Sequence, residues 1–170
     1  DKAYEIGLRV SFKESKFGFE PSKVKEAIVY AQSYNLPVIG FHFHTGTQLS
    51  LKQFENNLID IAQFLDKAIA IQYIDIGGGF PDIFQLRNLS LTLEDYFKAL
   101  SEIIKIKPTT QIIFEPGRFL VSDAFDLITK VHVIKEHLDE SYAILDAGIN
   151  VMPKISLSTF RFSKVNRENN

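Results

Sequence analysis

Four stretches carry residues whose types and spacing can do chemistry. In Gly40–Gln48, GFHFHTGTQ, Phe41 and Phe43 alternate with His42 and His44. Side chains two apart on a strand share a face, so two imidazoles point one way and two phenyl rings the other. Gly46 frees the backbone to turn, and Thr47 places a hydroxyl beside it. Further along stand the triplet Gly77-Gly78-Gly79 and the run Glu115-Pro116-Gly117-Arg118. Glycine N–H groups can approach an anion closely, Thr47 can donate a hydroxyl, and Arg118 can take phosphate oxygens in a fork. Together these suit a phosphate. A glycine triplet alone is more often only a turn, and it has neither the dinucleotide-binding nor the P-loop spacing. Glu115 can neutralise a cationic ring nitrogen, bind a metal or act as a base. Its blander reading, favoured for an isolated Glu-x-x-Arg, is a salt bridge with Arg118. The His-x-His pair admits a rival, a metal centre in a hydrolase, for which the other rim residues supply few ligands.

The elements that must position these residues follow from periodicity. Tyr4–Val10 reads as a strand with Arg9 near its end. Pro21 suits a first helical turn, and Val24, Ala27, Ile28 and Ala31 follow at helical spacing. Val38–His44 is the next strand. Ser50 with Gln53 forms a capping-box pattern, and Phe54, Leu58, Ile61, Ala62 and Leu65 mark a helix to about Ala70. Tyr73–Ile76 is a short strand, broken by the glycines and followed by a polar loop to Leu91. Thr92 with Asp95 caps a helix carrying Phe97, Leu100, Ile103 and Ile104, stopped by Pro108. Gln111–Phe114 is a strand that places Glu115 at its very end, since Pro116 biases the preceding residue to extended backbone.

Strands alternating with helices imply βαβ units and a parallel sheet. Arg9, His44 with Thr47, the glycine triplet, and Glu115 with Arg118 each follow a strand. The carboxyl ends of parallel strands are where α/β folds build their sites, so four strand ends converge on one rim. After Arg118 the helical stripe disappears. Residues 119–170 read as strands of a different, antiparallel module, and residues 1–118 as the α/β part.

The bulk composition bounds the rest. The chain has 170 residues, about one domain's length, with 45% hydrophobic residues and a net charge of −2. No basic patch argues for a nucleic-acid partner. The absence of cysteine excludes disulfides and thiolate chemistry and fits a reducing, cytoplasmic setting. No apolar run approaches the roughly 20 residues needed to span a membrane. The first residue is Asp1 rather than Met, so the start reads as trimmed.

GFHFHTGTQ, YIDIGGGFP and IIFEPGRFLVSDAFDLITKV, in this order and spacing, resemble the pyridoxal-phosphate-dependent decarboxylases of the alanine-racemase-like fold. These are the ornithine, arginine and diaminopimelate decarboxylases. SKFG at Ser15–Gly18 and DAGIN at Asp146–Asn150 fit as well, so the resemblance runs from about Glu5 to Pro153. It implies an α/β fold: the second half of a (βα)8 TIM-type barrel, strands five to eight, running into an antiparallel β domain. It implies pyridoxal 5'-phosphate as cofactor, a small-molecule amino-acid substrate of the basic or diamino kind, and a homodimer in the full-length protein.

The resemblance also implies roles. His44 would stack on the pyridine ring, and Thr47, where the family usually has Ser, would give the phosphate a hydroxyl. Gly77, Gly78 and Gly79 would bind phosphate through the backbone, with Arg118 in the phosphate-side turn. Glu115 would pair with the pyridine nitrogen, supported by Arg9. His44 and Glu115 would thus be the catalytic pair, no metal would be held, and His42 falls to packing inside the barrel. The family's Schiff-base lysine lies on the first barrel strand, which this chain lacks. Its late Cys-Asp pair is also missing, so the chain reads as a fragment. Met152-Pro153-Lys154 stands where diaminopimelate decarboxylases have Arg-Pro, which counts against that substrate. Two alternatives remain: a non-catalytic homologue acting as a protein-binding regulator, and a metal-dependent hydrolase using His42 and His44.

Overall fold

A computed structural model of the chain describes residues 4–13, 15–44, 46–66, 70–152 and 162–165. The chain divides into two compact units, 1–125 and 126–170.

The first unit is a four-stranded parallel sheet of β1 (Ile6–Val10), β2 (Val38–Phe43), β3 (Tyr73–Asp75) and β4 (Gln111–Ile113), ordered as in the sequence. One face carries Leu8, Val10, Phe41, Phe43, Ile74 and Ile76, all buried. They pack on α1 (Val24–Ser33) and on the long amphipathic α2 (Leu51–Asp66), whose Phe54, Leu58, Ile61 and Leu65 are buried. Alternation sends the intervening residues to the other face. There the register builds two rows: Gly7, Gly40, Tyr73 and Gln111, then Arg9, His42, Asp75 and Ile113. The first row needs its glycines, because the Tyr73 ring lies flat over them; a Cβ on Gly40 would sit 2.5 Å from that ring.

The stretch read as a polar loop after the glycine triplet contains a helix, α3 (Ile83–Leu89). Asp82 caps it by accepting the Gln85 N–H, a signal the polar composition hid. The single helix expected after Thr92 is two, α4 (Leu93–Ala99) and α5 (Ser101–Ile106), broken at Leu100 where ψ is −8°. The Thr92–Asp95 capping box is formed. Strands were expected from residue 119; a short α6 (Gly117–Val121) occupies the start of that stretch, and the division between units follows it. Residues 67–69, at the expected end of α2, lie outside the described residues, as do Pro153 and Lys154.

The second unit holds an antiparallel hairpin, β5 (Val131–His137) with β6 (Glu140–Leu145). Its turn places Leu138 at φ 54°. The Asp146 carboxylate accepts from the Thr129 hydroxyl and the Lys130 N–H, closing the open end of the hairpin. Those two donors hold the Asp146 carboxyl below its ordinary value. Among the described residues no helix is long and apolar enough to cross a membrane.

Candidate active site

The carboxyl ends of the strands meet around the glycine turn. Gly77 and Gly79 have φ of 70° and 99°, a region that favours glycine. A Cβ on Gly78 would lie 2.6 Å from the Glu115 carbonyl oxygen, and one on Gly79 2.7 Å from that of Gly46. The turn is pinned on both sides: Glu115 N–H donates to the Gly77 carbonyl at 2.9 Å, and Leu49 N–H to that of Gly79 at 2.8 Å. The Gly77 N–H is taken by Asp75 Oδ1 at 2.8 Å. The Gly78 and Gly79 N–H groups have no hydrogen-bond partner among the described residues. They are backbone donors held in a fixed turn, which is what a phosphate requires.

The other expected residues fall around this turn. His44 is exposed just beyond β2, and a Cβ on Gly77 would meet its Nδ1 at 3.4 Å. It also lines a small cavity with Ser11, Lys13, Asn57 and Asp60. Thr47 is exposed in the bend after Gly46, whose carbonyl abuts Gly79; Thr45 lies outside the described residues. Gln48 donates to Asp82 at 2.7 Å, tying this bend to the start of α3. Arg118 sits half-buried in the first turn of α6. Arg9 lies in register with His42, but its guanidinium stacks on Phe17, 4.9 Å from the ring centre.

The blander alternative for Glu115, a bridge to Arg118, is not formed: Glu115 Oε2 lies 3.6 Å from His42 Nε2 instead. Arg118 continues from Gly117 into a helix, whereas Glu115 leaves β4 on the side of the His42 row. His42, expected to pack inside the barrel, is half-buried beside two carboxylates. Its Nε2 is shielded from solvent yet has no hydrogen bond, and ligand atoms of His42, Asp75 and Glu115 lie within 4.8 Å of one another. The metal reading paired His42 with His44; the cluster joins His42 to two carboxylates and leaves His44 out.

Asp75 was missed altogether. Burial pushes its carboxyl above the ordinary value; the Gly77 N–H opposes this, the Glu115 charge adds to it, and His42 opposes it more weakly. A sequence signal existed. Asp75 is the single charged residue in the Tyr73–Ile76 run, two positions from the first glycine.

A parallel sheet thus sets a pinned glycine turn with backbone donors beside a carboxylate at the next strand end. Residues 2–122 match the family model described as pyridoxal-dependent decarboxylase, pyridoxal binding domain. The chain belongs to that family, and its cofactor is pyridoxal 5'-phosphate. It is 30% identical over 156 residues to the diaminopimelate decarboxylase of Neisseria meningitidis serogroup B, covering 88% of this chain and 37% of that protein. A diaminopimelate decarboxylase variant from Helicobacter pylori, solved with L-lysine, superposes with a TM-score of 0.74 at 27% identity, covering 91% of this chain and 43% of that one. SrLDC, solved with PLP and cadaverine, gives 0.69 at 29% identity, covering 85% and 39%. The chain thus spans well under half the length of the relatives it matches. The residues present fit the cofactor at two ends: glycine N–H groups, unpaired among the described residues, for its phosphate, and a half-exposed carboxylate for its ring nitrogen.

Proposed function

We propose that this chain is the cofactor-binding part of a pyridoxal-phosphate-dependent decarboxylase acting on a basic or diamino acid. Its sheet would then be strands five to eight of a (βα)8 barrel, with residues 1–118 in the barrel and 119–170 opening a C-terminal β domain. The observation that carries this reading is the Gly77–Gly79 turn, which offers two backbone donors unpaired among the described residues and is bonded directly to Glu115. When bound, the cofactor supplies an electron sink for the carbanion left by loss of CO2.

The chain's own residues prepare the site for that chemistry. Gly78 and Gly79 N–H groups, the Thr47 hydroxyl and Arg118 would hold the phosphate, so binding energy would come from the end that does not react. Glu115 would accept the ring N–H and so keep that nitrogen protonated. His44 would stack on the ring. Arg9, expected to support the Glu115 side, is instead turned to Phe17. The substrate class is supported by the diaminopimelate decarboxylase of Neisseria and by the lysine and cadaverine bound in the two solved relatives. In the full-length protein this half barrel is completed within a homodimer.

The test is to titrate the full-length protein with pyridoxal 5'-phosphate and to measure CO2 release from diaminopimelate, lysine, ornithine and arginine. A visible absorbance band on binding and turnover of one of the four are expected. Failure to bind the cofactor removes the reading. Binding without turnover of any of the four leaves a non-catalytic homologue.

A further inference from the structure

His42 and Asp75 have no task in the reading above, yet they sit together beneath its centre. We propose that His42 is a positioning residue for Glu115 and Asp75 a positioning residue for His42, an Asp–His–Glu chain that fixes the carboxylate facing the cofactor's ring nitrogen. This rests on the pyridoxal-phosphate reading of the site.

Glu115 needs such a support. It lies beyond the end of β4, its side chain is 53% exposed, and among the described residues Arg118 makes no ion pair with it. A long exposed side chain loses rotamer entropy when it is held, so a carboxylate that must meet a fixed ring atom has to be anchored. His42 Nε2, 3.6 Å from Oε2, is the anchor at hand. That nitrogen is buried without a hydrogen bond, a costly state that a small side-chain rotation toward Glu115 relieves. A carboxylate has two oxygens; engaging one leaves the other for the ring nitrogen.

Asp75 joins them from the neighbouring strand, with a carboxylate oxygen within 4.8 Å of both the His42 ring nitrogen and the Glu115 carboxylate. It neighbours His42 in register across β2 and β3. Its Oδ1 is committed to the Gly77 N–H, which leaves its second oxygen for the imidazole. Since the Gly77 carbonyl accepts the Glu115 N–H, hydrogen bonds join Asp75, Gly77 and Glu115 in one run, and His42 lies within 4.8 Å of both carboxylates. Positions of the phosphate-binding turn and of the ring-nitrogen carboxylate are thereby set by one another. The remaining charged group in the row, Arg9 on β1, is turned to Phe17.

The experiment measures pyridoxal 5'-phosphate affinity in the full-length protein, by absorbance titration, for wild type, His42→Phe, His42→Gln, His42→Asn, Glu115→Gln and the His42→Phe/Glu115→Gln double variant. His42→Phe should bind about tenfold more weakly, within the coupling range of contacting residues. His42→Gln should recover to within about threefold of wild type, because its amide nitrogen can stand in for Nε2, whereas His42→Asn should stay weak. The double variant should bind no more weakly than Glu115→Gln alone, since His42 acts through Glu115. Additive losses, or equal affinities of the Gln and Asn variants, overturn the proposal. Should His42→Phe fail to fold, the Gln and Asn pair decides by itself. A wild type that does not bind the cofactor overturns the functional reading and this proposal with it; a wild type that binds, with additive losses, overturns the positioning role alone.

Discussion

At the scale of single residues, Asp75 concentrates the site's electrostatics. It is partly buried, lies near both Glu115 and His42, and keeps one hydrogen bond to Gly77. Its carboxyl is raised, so between the unfolded value, near 3.9, and the higher folded value the native chain holds more protons than the unfolded one. Stability therefore falls as pH rises through that window. Asp75→Asn keeps an acceptor for the Gly77 N–H and removes the charge. Urea midpoints measured from about pH 3.5 to 7 should show the wild type losing stability relative to Asp75→Asn as pH rises from about 4. A wild type that instead gains on the variant over that range would contradict the raised carboxyl. This residue also marks the limit of what the sequence disclosed. Gly77–Gly79, His44, Thr47 and Glu115 could be placed at strand ends because each interrupts a strand pattern. The pairing of Glu115 could not, because the choice between Arg118, three residues away, and His42, on another strand, depends on register and on where α6 departs.

At the scale of elements, the bend after β2 is held by side chains from later helices. The Tyr96 hydroxyl on α4 donates to the Leu49 carbonyl at 2.9 Å, and its ring is fully buried against Phe54 and Phe80. Tyr96→Phe keeps the ring packing but leaves that buried carbonyl unpaired. It should cost about 1 to 3 kcal/mol in urea unfolding, and cofactor affinity should weaken with it, because Leu49 N–H also pins Gly79. Unchanged stability would show that the carbonyl finds another partner. Here too the sequence was partly legible. The apolar stripes of α1 and α2 announced themselves by spacing, whereas α3 hid among polar residues, and Leu100 split what reads as one continuous stripe. Periodicity reports which face is buried, not where the backbone breaks between two helices burying the same face.

At the scale of the whole molecule, the parallel sheet ends in two strands paired on one side only. β1 is covered at its carboxyl end, where Phe19 exchanges backbone hydrogen bonds with Arg9 and Ser11. The remainder of its outer edge and that of β4 have no strand partner among the described residues. On the sheet face opposite the core, Arg9, His42, Tyr73, Asp75 and Ile113 remain no better than half-buried. Unpaired strand edges recruit other chains, and parallel sheets are stable when both faces are covered. Charged Arg9 and Asp75 weaken this tendency without removing it, because backbone donors and acceptors at an edge pair whatever side chains flank them. Residues 1–170 produced alone should therefore self-associate in a concentration-dependent way, read by light scattering during size-exclusion chromatography across a tenfold dilution series. A segment that pairs with β1 or β4 in the full-length protein should suppress it. A monodisperse monomer of residues 1–170 that unfolds cooperatively would show that this sheet tolerates its open edges.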